Sequence, residues 1–306
     1  MDSIIHFFDA LLSLFSVDGV VLFVFVLLGL MSVVDTLNLS IRVAGVLTKR
    51  LAIALSLFNI LMVFSRMSNM IQAPFVGGMI DSAVNQVAAQ GAGPLLETAN
   101  EITAFDIVLP KFRMLVLAYT FGAMIGAFLT PTFQRIFSAV ILDFEQRKSM
   151  ARAAAMIFNP VNLLRLKLPG REHFQKYMDW RRIPKGFLFW HLFVTTFYTI
   201  GVLSSLLAGA MLPEFRATAA TLSGLVNGIA TFLLFMLVDP TAALITDQCI
   251  LGKRPETDIK VMNFYLIWTK IAGTLLAQLF LVPMAEYVGW AAKVVHAFSG
   301  SGTPAI

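Results

Sequence analysis

The chain has 306 residues, of which 58% are hydrophobic and only 13% are charged, and its mean hydropathy is +0.79. Soluble domains carry about 25% charged residues, so this much apolar surface cannot be buried in one water-soluble core. The composition predicts an integral membrane protein and excludes a large soluble domain. The single cysteine, Cys249, excludes an internal disulfide framework.

The amino-terminal segment, residues 1–18, lacks the basic region of a secretory signal because its charges are Asp2, Asp9 and Asp18. We therefore expect it to be part of the mature protein. Its apolar residues recur at helical spacing, which predicts an interfacial helix on the membrane surface.

Six apolar stretches bounded by charged residues predict transmembrane helices. Runs of this length favour an all-α polytopic protein over a membrane β-barrel. The predicted spans are residues 20–40, 56–75, 115–136, 187–210, 217–238 and 261–283.

The distribution of Lys and Arg predicts the orientation of these helices. Residues 143–185 carry ten basic residues against four acids, so the positive-inside rule places this loop in the cytosol. The turns at Lys49 and Lys253 fall on the same side. These positions predict three hairpins with cytosolic turns and both termini outside. The basic pI is explained by topology, so nucleic-acid binding is not expected.

The three predicted hairpins divide the chain into segments. Between the first and second hairpins lies a long extracytoplasmic loop that could be a lid, a partner-binding loop or a tether. The hairpins are residues 19–80, 111–212 and 213–291, with the loop at 81–110 and a tail at 292–306.

An internal repeat relates the first and last hairpins. At an offset of 204 residues, Asp35 aligns with Asp239, and five further polar pairs follow without gaps. The repeat predicts two copies in the same orientation, an arrangement common in transporters. A chance match between two apolar segments is the alternative. The further pairs are Lys49 with Lys253, Arg50 with Arg254, Asn59 with Asn263, Ser65 with Thr269, and Arg66 with Lys270.

Two cations, Arg66 and Lys270, fall well inside the second and sixth predicted spans. A charge at mid-bilayer costs at least about 2.5 kcal/mol, so such groups normally face a bundle interior or an aqueous cavity. Asp35 and Asp239, at the predicted inner ends of the first and fifth spans, are candidate charge partners. The cations are therefore either paired internally as structural glue or available to an anionic ligand.

Polar residues accompany these cations at helical spacing. Such stripes form either interhelical hydrogen bonds or the lining of a cavity suited to an anionic, hydroxyl-rich substrate. Arg42, seven residues after Asp35, is a headgroup anchor or an entry-site cation. The stripes contain Asn59, Arg66 and Asn69; Asn263, Lys270 and Thr274; His191, Thr195, Tyr198 and Ser205; and Ser223, Asn227 and Thr231.

Glycine and proline residues predict local features of the helices. Gly122 and Gly126 form a Gly-x-x-x-Gly motif that permits close helix approach. Four prolines near the span ends are expected to kink or end helices: Pro74, Pro131, Pro240 and Pro283.

No nucleotide-binding loop, zinc-protease or nucleophile-elbow motif occurs in the sequence. The chain is therefore not expected to be an ATPase or a hydrolase, and no cofactor or metal is expected.

The segment at residues 35–75 resembles the Amj family of bacterial lipid II flippases. The matching elements there are Asp35, Thr36, Ser40, Arg42, Ala44, Gly45, Asn59, Ser65, Arg66 and Asn69. The runs VDPTAALITDQCILGK and KIAGTLLAQLFLVP are also similar, although the family pattern favours Arg where this chain has Lys270. The resemblance covers the first and last hairpins, and the middle hairpin matches only in hydropathy.

This resemblance implies translocation of lipid II, a polyprenyl-diphosphate glycopeptide, across the bacterial inner membrane for cell wall biogenesis. Membrane lipids and cell-wall synthesis proteins would be its other partners. We expect alternating access, in which Arg42 and the basic turns collect substrate and Arg66 and Lys270 hold the diphosphate. The candidate substrate-binding residues are Arg42, Asn59, Arg66, Asn69, Asn263 and Lys270, with Asp35 and Asp239 as charge partners.

Two other functions remain open from the residues alone. One is a membrane scaffold for cell-envelope assembly, in which the intramembrane charges serve only as glue. The other is a membrane enzyme acting on polyprenyl phosphates, with His191 and the acids as acid and base groups.

Overall fold

The computed structural model describes residues 18–89, 102–147, 156–157, 170 and 177–300. The interfacial segment, part of the predicted extracytoplasmic loop, most of the basic loop and the end of the tail lie outside this description. Within the described helices, several side chains also lie outside it, namely those of Phe64, Arg66, Ser68, Asn69, Trp180, Ser299 and Gly300.

The described part of the chain is helical and contains no strand. Its helices are α1 (Gly19–Thr48), α2 (Leu51–Ala89), α3 (Ala104–Arg147), α4 (Lys185–Met211), α5 (Arg216–Thr221), α6 (Ser223–Leu233), α7 (Asp239–Ile250) and α8 (Glu256–Gly300). A π turn, Leu234–Val238, joins α6 to α7, and 3-10 turns lie at Trp180–Arg182 and Pro213–Phe215.

Five helical segments are long and apolar enough to cross a membrane. They are α1, α3, α4, the composite segment Pro213–Ile250 and the portion Glu256–Phe298 of α8. Their length and composition confirm the prediction of an all-helical, multi-pass membrane protein. In α2, which is 39 residues long, the described apolar portion is Leu51–Val63.

The helices are longer than the sequence predicted. The prolines were expected to kink or end helices, and Pro74, Pro131 and Pro283 do not end them, because they lie inside continuous helices. A proline removes one backbone hydrogen bond, and packing against neighbouring helices can maintain the helix around it. Because α1 continues to Thr48, Asp35 lies near the middle of this helix and not at its inner end.

Helix α1 is central and packs chiefly against α3, while α8 packs chiefly against α4. A Cβ atom at Gly122 would lie 2.1 Å from the carbonyl oxygen of Gly29, and one at Gly126 would lie 2.6 Å from the Cβ of Thr36. The predicted close approach at the Gly-x-x-x-Gly motif is therefore confirmed, and its partner is α1.

The turns at Lys49 and Lys253 mark what we call the basic end of the bundle. Lys49 ends α1 with a φ of 56°, which reverses the chain into α2. Arg50 donates to Glu145 of α3 at 2.6 Å, and Arg254 donates to the carbonyl oxygen of Arg182, ahead of α4, at 3.1 Å. These contacts tie each turn to a neighbouring helix.

Candidate functional site

A polar cavity of about 160 Å³ lies among α1, α2, α4, α7 and α8. Four ionisable residues named from the sequence line it, and they come from both ends of the chain. These residues are Asp35, Arg42, Asp239 and Lys270. A cavity that collects charges among apolar helices is the arrangement expected for a binding site or a transport path.

Arg42 extends between two helices at this cavity. Its Nη2 atom donates to Oδ1 of Asp239 at 2.7 Å, and its guanidinium carbon lies 5.2 Å from the centre of the Phe58 ring. The guanidinium therefore contacts α7 through an ion pair and α2 through a cation–π interaction. Arg42 is a component of the cavity wall and not only a headgroup anchor.

The Lys270 side chain contacts the middle of α1. Its Nζ atom donates to the carbonyl oxygen of Ser32 at 3.3 Å, and the Asp35 carboxylate interacts with it electrostatically. Among the described residues, no carboxylate lies within salt-bridge distance of Lys270. An ammonium group has three donors, so this cation retains capacity for an anionic ligand.

The charges combine differently from the pairs suggested by the repeat. Asp239 bonds with Arg42 of α1, although the repeat made Lys270 its candidate partner. Arg66, the candidate partner of Asp35, has a side chain outside the described residues. The internal pairing that the sequence left open is therefore found for Asp239, but with a different cation.

The two described asparagines among the substrate-binding candidates, Asn59 and Asn263, do not line the cavity. Asn59 is exposed on α2, and Asn263 is buried against a separate groove between α3 and α8. The side chain of Asn69, like that of Arg66, lies outside the described residues. Among the described substrate-binding candidates, Arg42 and Lys270 share the cavity.

Helix α4 contributes the polar stripe predicted for it. His191, Thr195 and Tyr198 line the cavity, and Nδ1 of His191 lies 2.8 Å from Oγ1 of Thr269 on α8. The stripe on the fifth predicted span has a different role, because Asn227 packs against Gly201 of α4. A Cβ atom at Gly201 would lie 2.0 Å from Oδ1 of Asn227.

Asn38 and Tyr119 are among the lining residues that escaped the sequence analysis. Asn38 donates to the carbonyl oxygen of Phe58 at 3.3 Å and buries an amide oxygen that has no partner. Its spacing of three residues after Asp35 and four before Arg42 was an available signal, because it places all three on one helical face. Tyr119 comes from the middle hairpin and bonds with Gln72, and no sequence pattern indicated it.

The backbone next to Asp239 is also unusual. The π turn Leu234–Val238 ends directly before this residue, and Pro240 follows it without a backbone N–H. Single π turns occur frequently at functional sites because they shift side chains out of the regular helical register. Here the turn lines the cavity through Leu234 and Val238.

The arrangement suits the binding of an anion better than acid–base or metal chemistry. Two cations face a cavity among apolar helices, where electrostatic interactions are stronger than in bulk solvent. In the part of the chain that the structure describes, no group of three His, Cys, Asp or Glu residues could hold a metal ion.

Comparisons with known proteins give one consistent result. Residues 27–292 match the model of the family described as "Amj: Alternate to MurJ". The chain is 36% identical over 284 residues to a protein of Bacillus subtilis (strain 168) named "Lipid II flippase Amj", covering 89% of this chain and 97% of that relative. No solved structure gives a significant match. The family match extends across the middle hairpin, which the sequence motifs had not reached, and the chain belongs to the Amj family.

Proposed function

We propose that this protein is a lipid II flippase, a transporter and not an enzyme. The observation that carries this proposal is the convergence of Arg42 and Lys270 on one cavity. The name of the Bacillus subtilis relative supports the same substrate, a polyprenyl diphosphate bearing a glycopeptide. Its charged part needs cations inside the membrane, while its hydrocarbon part does not.

The diphosphate binds at Arg42 and Lys270. Lys270 offers its unused donors, and Arg42 presents a planar guanidinium that binds phosphate through two parallel hydrogen bonds. In the structure Arg42 is paired with Asp239, so the substrate phosphate replaces this carboxylate when it binds. In the absence of substrate, Asp239 serves as a counter-ion that keeps the cavity neutral.

The lipid tail stays in the bilayer next to the cavity. Phe58 and Met62 of α2 line one side of the cavity, and Leu234 and Val238 of the π turn line another. These apolar side chains leave room for hydrocarbon beside a polar interior. A lateral opening here lets the headgroup cross without transferring the tail through a polar path.

An alternating-access cycle gives a role to each of the remaining candidate substrate-binding residues. The basic turns and Arg42 collect substrate on the cytosolic side, and Arg66 and Lys270 receive the diphosphate midway. Asn59, Asn69 and Asn263 hydrogen-bond to the headgroup at stages of the cycle other than the one described. Asp35 balances Lys270, with which it interacts electrostatically.

The same proposal includes the membrane topology. Helix α2 is the additional span, which gives six spans in three hairpins with cytosolic turns and extracytoplasmic termini. The first and last hairpins are parallel copies, and the protein resides in the bacterial inner membrane with cell-wall synthesis proteins as partners. The basic turns at Lys49 and Lys253 support this orientation.

Reconstitution tests the function. The purified chain is placed in proteoliposomes with labelled lipid II, and the label reaching the opposite leaflet is measured. We expect flipping without chemical change of the lipid. Formation of a new lipid product would indicate the enzyme, and the absence of both would indicate the scaffold.

A further inference from the structure

A second groove, of about 240 Å³, lies between α3 and α8 and shares no lining residue with the polar cavity. Its polar and apolar residues are separated along its length. Lys260 and Gln134 lie towards the basic end, whereas Phe128, Trp268 and Ile271 line the remainder. The groove therefore has the polarity of a lipid, with a headgroup end and a hydrocarbon end.

A buried amide without a complete set of partners lies between these two ends. Asn263 is 2% exposed, lines the groove, and has an amide oxygen that receives no hydrogen bond from the described part of the chain. Buried polar groups are normally satisfied, so an amide of this kind indicates a partner supplied from outside the protein. The amide oxygen can accept a hydrogen bond from a headgroup hydroxyl, and the NH2 group can donate to an ester or phosphate oxygen of the lipid.

The charge at the headgroup end defines the class of lipid. Lys260 takes part in no ion pair among the described residues, so its ammonium group is available to an anion. Among the described lining residues, one cation beside two neutral amides matches the single negative charge of a phosphodiester. A diphosphate would require a second cation at the same place. Basic pockets between helices near the cytosolic surface are known sites for anionic headgroups.

Tyr177 adds to the polar end of the groove. Burial raises the pKa of its hydroxyl, which therefore stays protonated and neutral. It introduces no negative charge that would oppose an anionic headgroup.

We propose that the groove between α3 and α8 binds one anionic glycerophospholipid of the bilayer. Its phosphate lies at Lys260 and Gln134, its ester region at Asn263, and one acyl chain along Phe128 and Trp268. This site lies apart from Arg42 and Lys270, and Asn263 is the residue that it shares with the proposed transport cycle.

Native mass spectrometry of the full chain tests the site, with phosphatidylglycerol and phosphatidylcholine as probes. We expect preferential binding of phosphatidylglycerol. Lys260→Gln should lower this affinity about fivefold, the effect of one lysine near an anionic surface. Lys253→Gln, which removes a positive charge at an exposed position of the same end, is the matched control and should change the affinity less than twofold.

Two further variants address folding and the nature of the ligand. Trp268→Ala alters a partly exposed side chain and should weaken binding of both lipids without unfolding the protein. Lys270→Ala should leave phosphatidylglycerol binding unchanged even if it abolishes flipping. Equal binding of the two phospholipids, an unchanged affinity in Lys260→Gln, or displacement of phosphatidylglycerol by undecaprenyl diphosphate would each overturn the proposal.

Discussion

Arg42 and Asp239, which are 197 positions apart in sequence, form an ion pair of 2.7 Å that joins α1 to α7 at the polar cavity. Their side chains are 14% and 33% exposed, so neither charge is fully removed from solvent. A partly wetted pair separates at lower cost than a dry one. It can therefore hold the cavity together in the absence of substrate and still release Arg42 to an anion.

Exchanging the charges of Arg42 and Asp239 separates the structural role of this pair from its role in substrate binding. Asp239→Ala leaves Arg42 without its carboxylate and should lower the thermal midpoint. The double variant Arg42→Asp with Asp239→Arg should restore the midpoint but not lipid II flipping, because the cation no longer lies beside Phe58. Flipping in proteoliposomes and thermal unfolding in detergent measure the two effects.

The exposed pair of Arg50 and Glu145 provides the control for this exchange. Its side chains are 46% and 39% exposed, so reversing the two charges should change neither stability nor flipping appreciably. Full flipping by the exchanged pair at positions 42 and 239 would show that this pair is only structural.

Lys270 should be required for transport but not for folding. Its ammonium group contacts one backbone carbonyl oxygen, and a charge-assisted hydrogen bond to substrate is worth about 1.5–3 kcal/mol. Lys270→Ala should therefore reduce flipping by at least about tenfold. Lys270→Arg keeps the charge and should retain activity, and Lys293→Ala at an exposed position of the same helix is the matched control. Normal flipping by a well-folded Lys270→Ala protein would exclude Lys270 from substrate binding.

Gly122 should tolerate no side chain. An added Cβ atom would lie 2.1 Å from the carbonyl oxygen of Gly29, which is backbone and cannot rotate away. Gly122→Ala should destabilise the protein by about 1–3 kcal/mol through overpacking between α1 and α3. Gly78→Ala in α2 is the control, because nothing lies within 4 Å of its Cβ position. Unfolding in mixed detergent micelles measures both, and equal stability of the two variants would contradict the packing argument.

The orientation of the basic end can be measured by cysteine labelling. Cys249 is 4% exposed, and Cys249→Ser gives a cysteine-free background. A cysteine replacing exposed Lys253 should react with an impermeant maleimide only in inverted vesicles. A cysteine replacing exposed Ala89, at the far end of α2, should react in intact cells. The reverse pattern would place the basic turns outside and reject the proposed topology.

The sequence by itself determined the class of protein and the location of its informative charges. Apolar length, the scarcity of charge and the clustering of basic residues are local properties, and water and lipid impose them on any chain. The placement of Asp35 and Arg42 on one face of α1, and the close approach at Gly122, follow from helical periodicity in the same way.

Only the tertiary structure decided which of these groups meet. The rotation of each helix about its own axis and the lengths of the helices depend on packing across the whole bundle, which no local pattern records. Packing brings Asp239 to Arg42, directs Asn263 into a separate groove, and adds Tyr119 from the middle hairpin to the cavity. A helix pattern predicts which residues share a face, but the neighbouring helices determine what that face contacts.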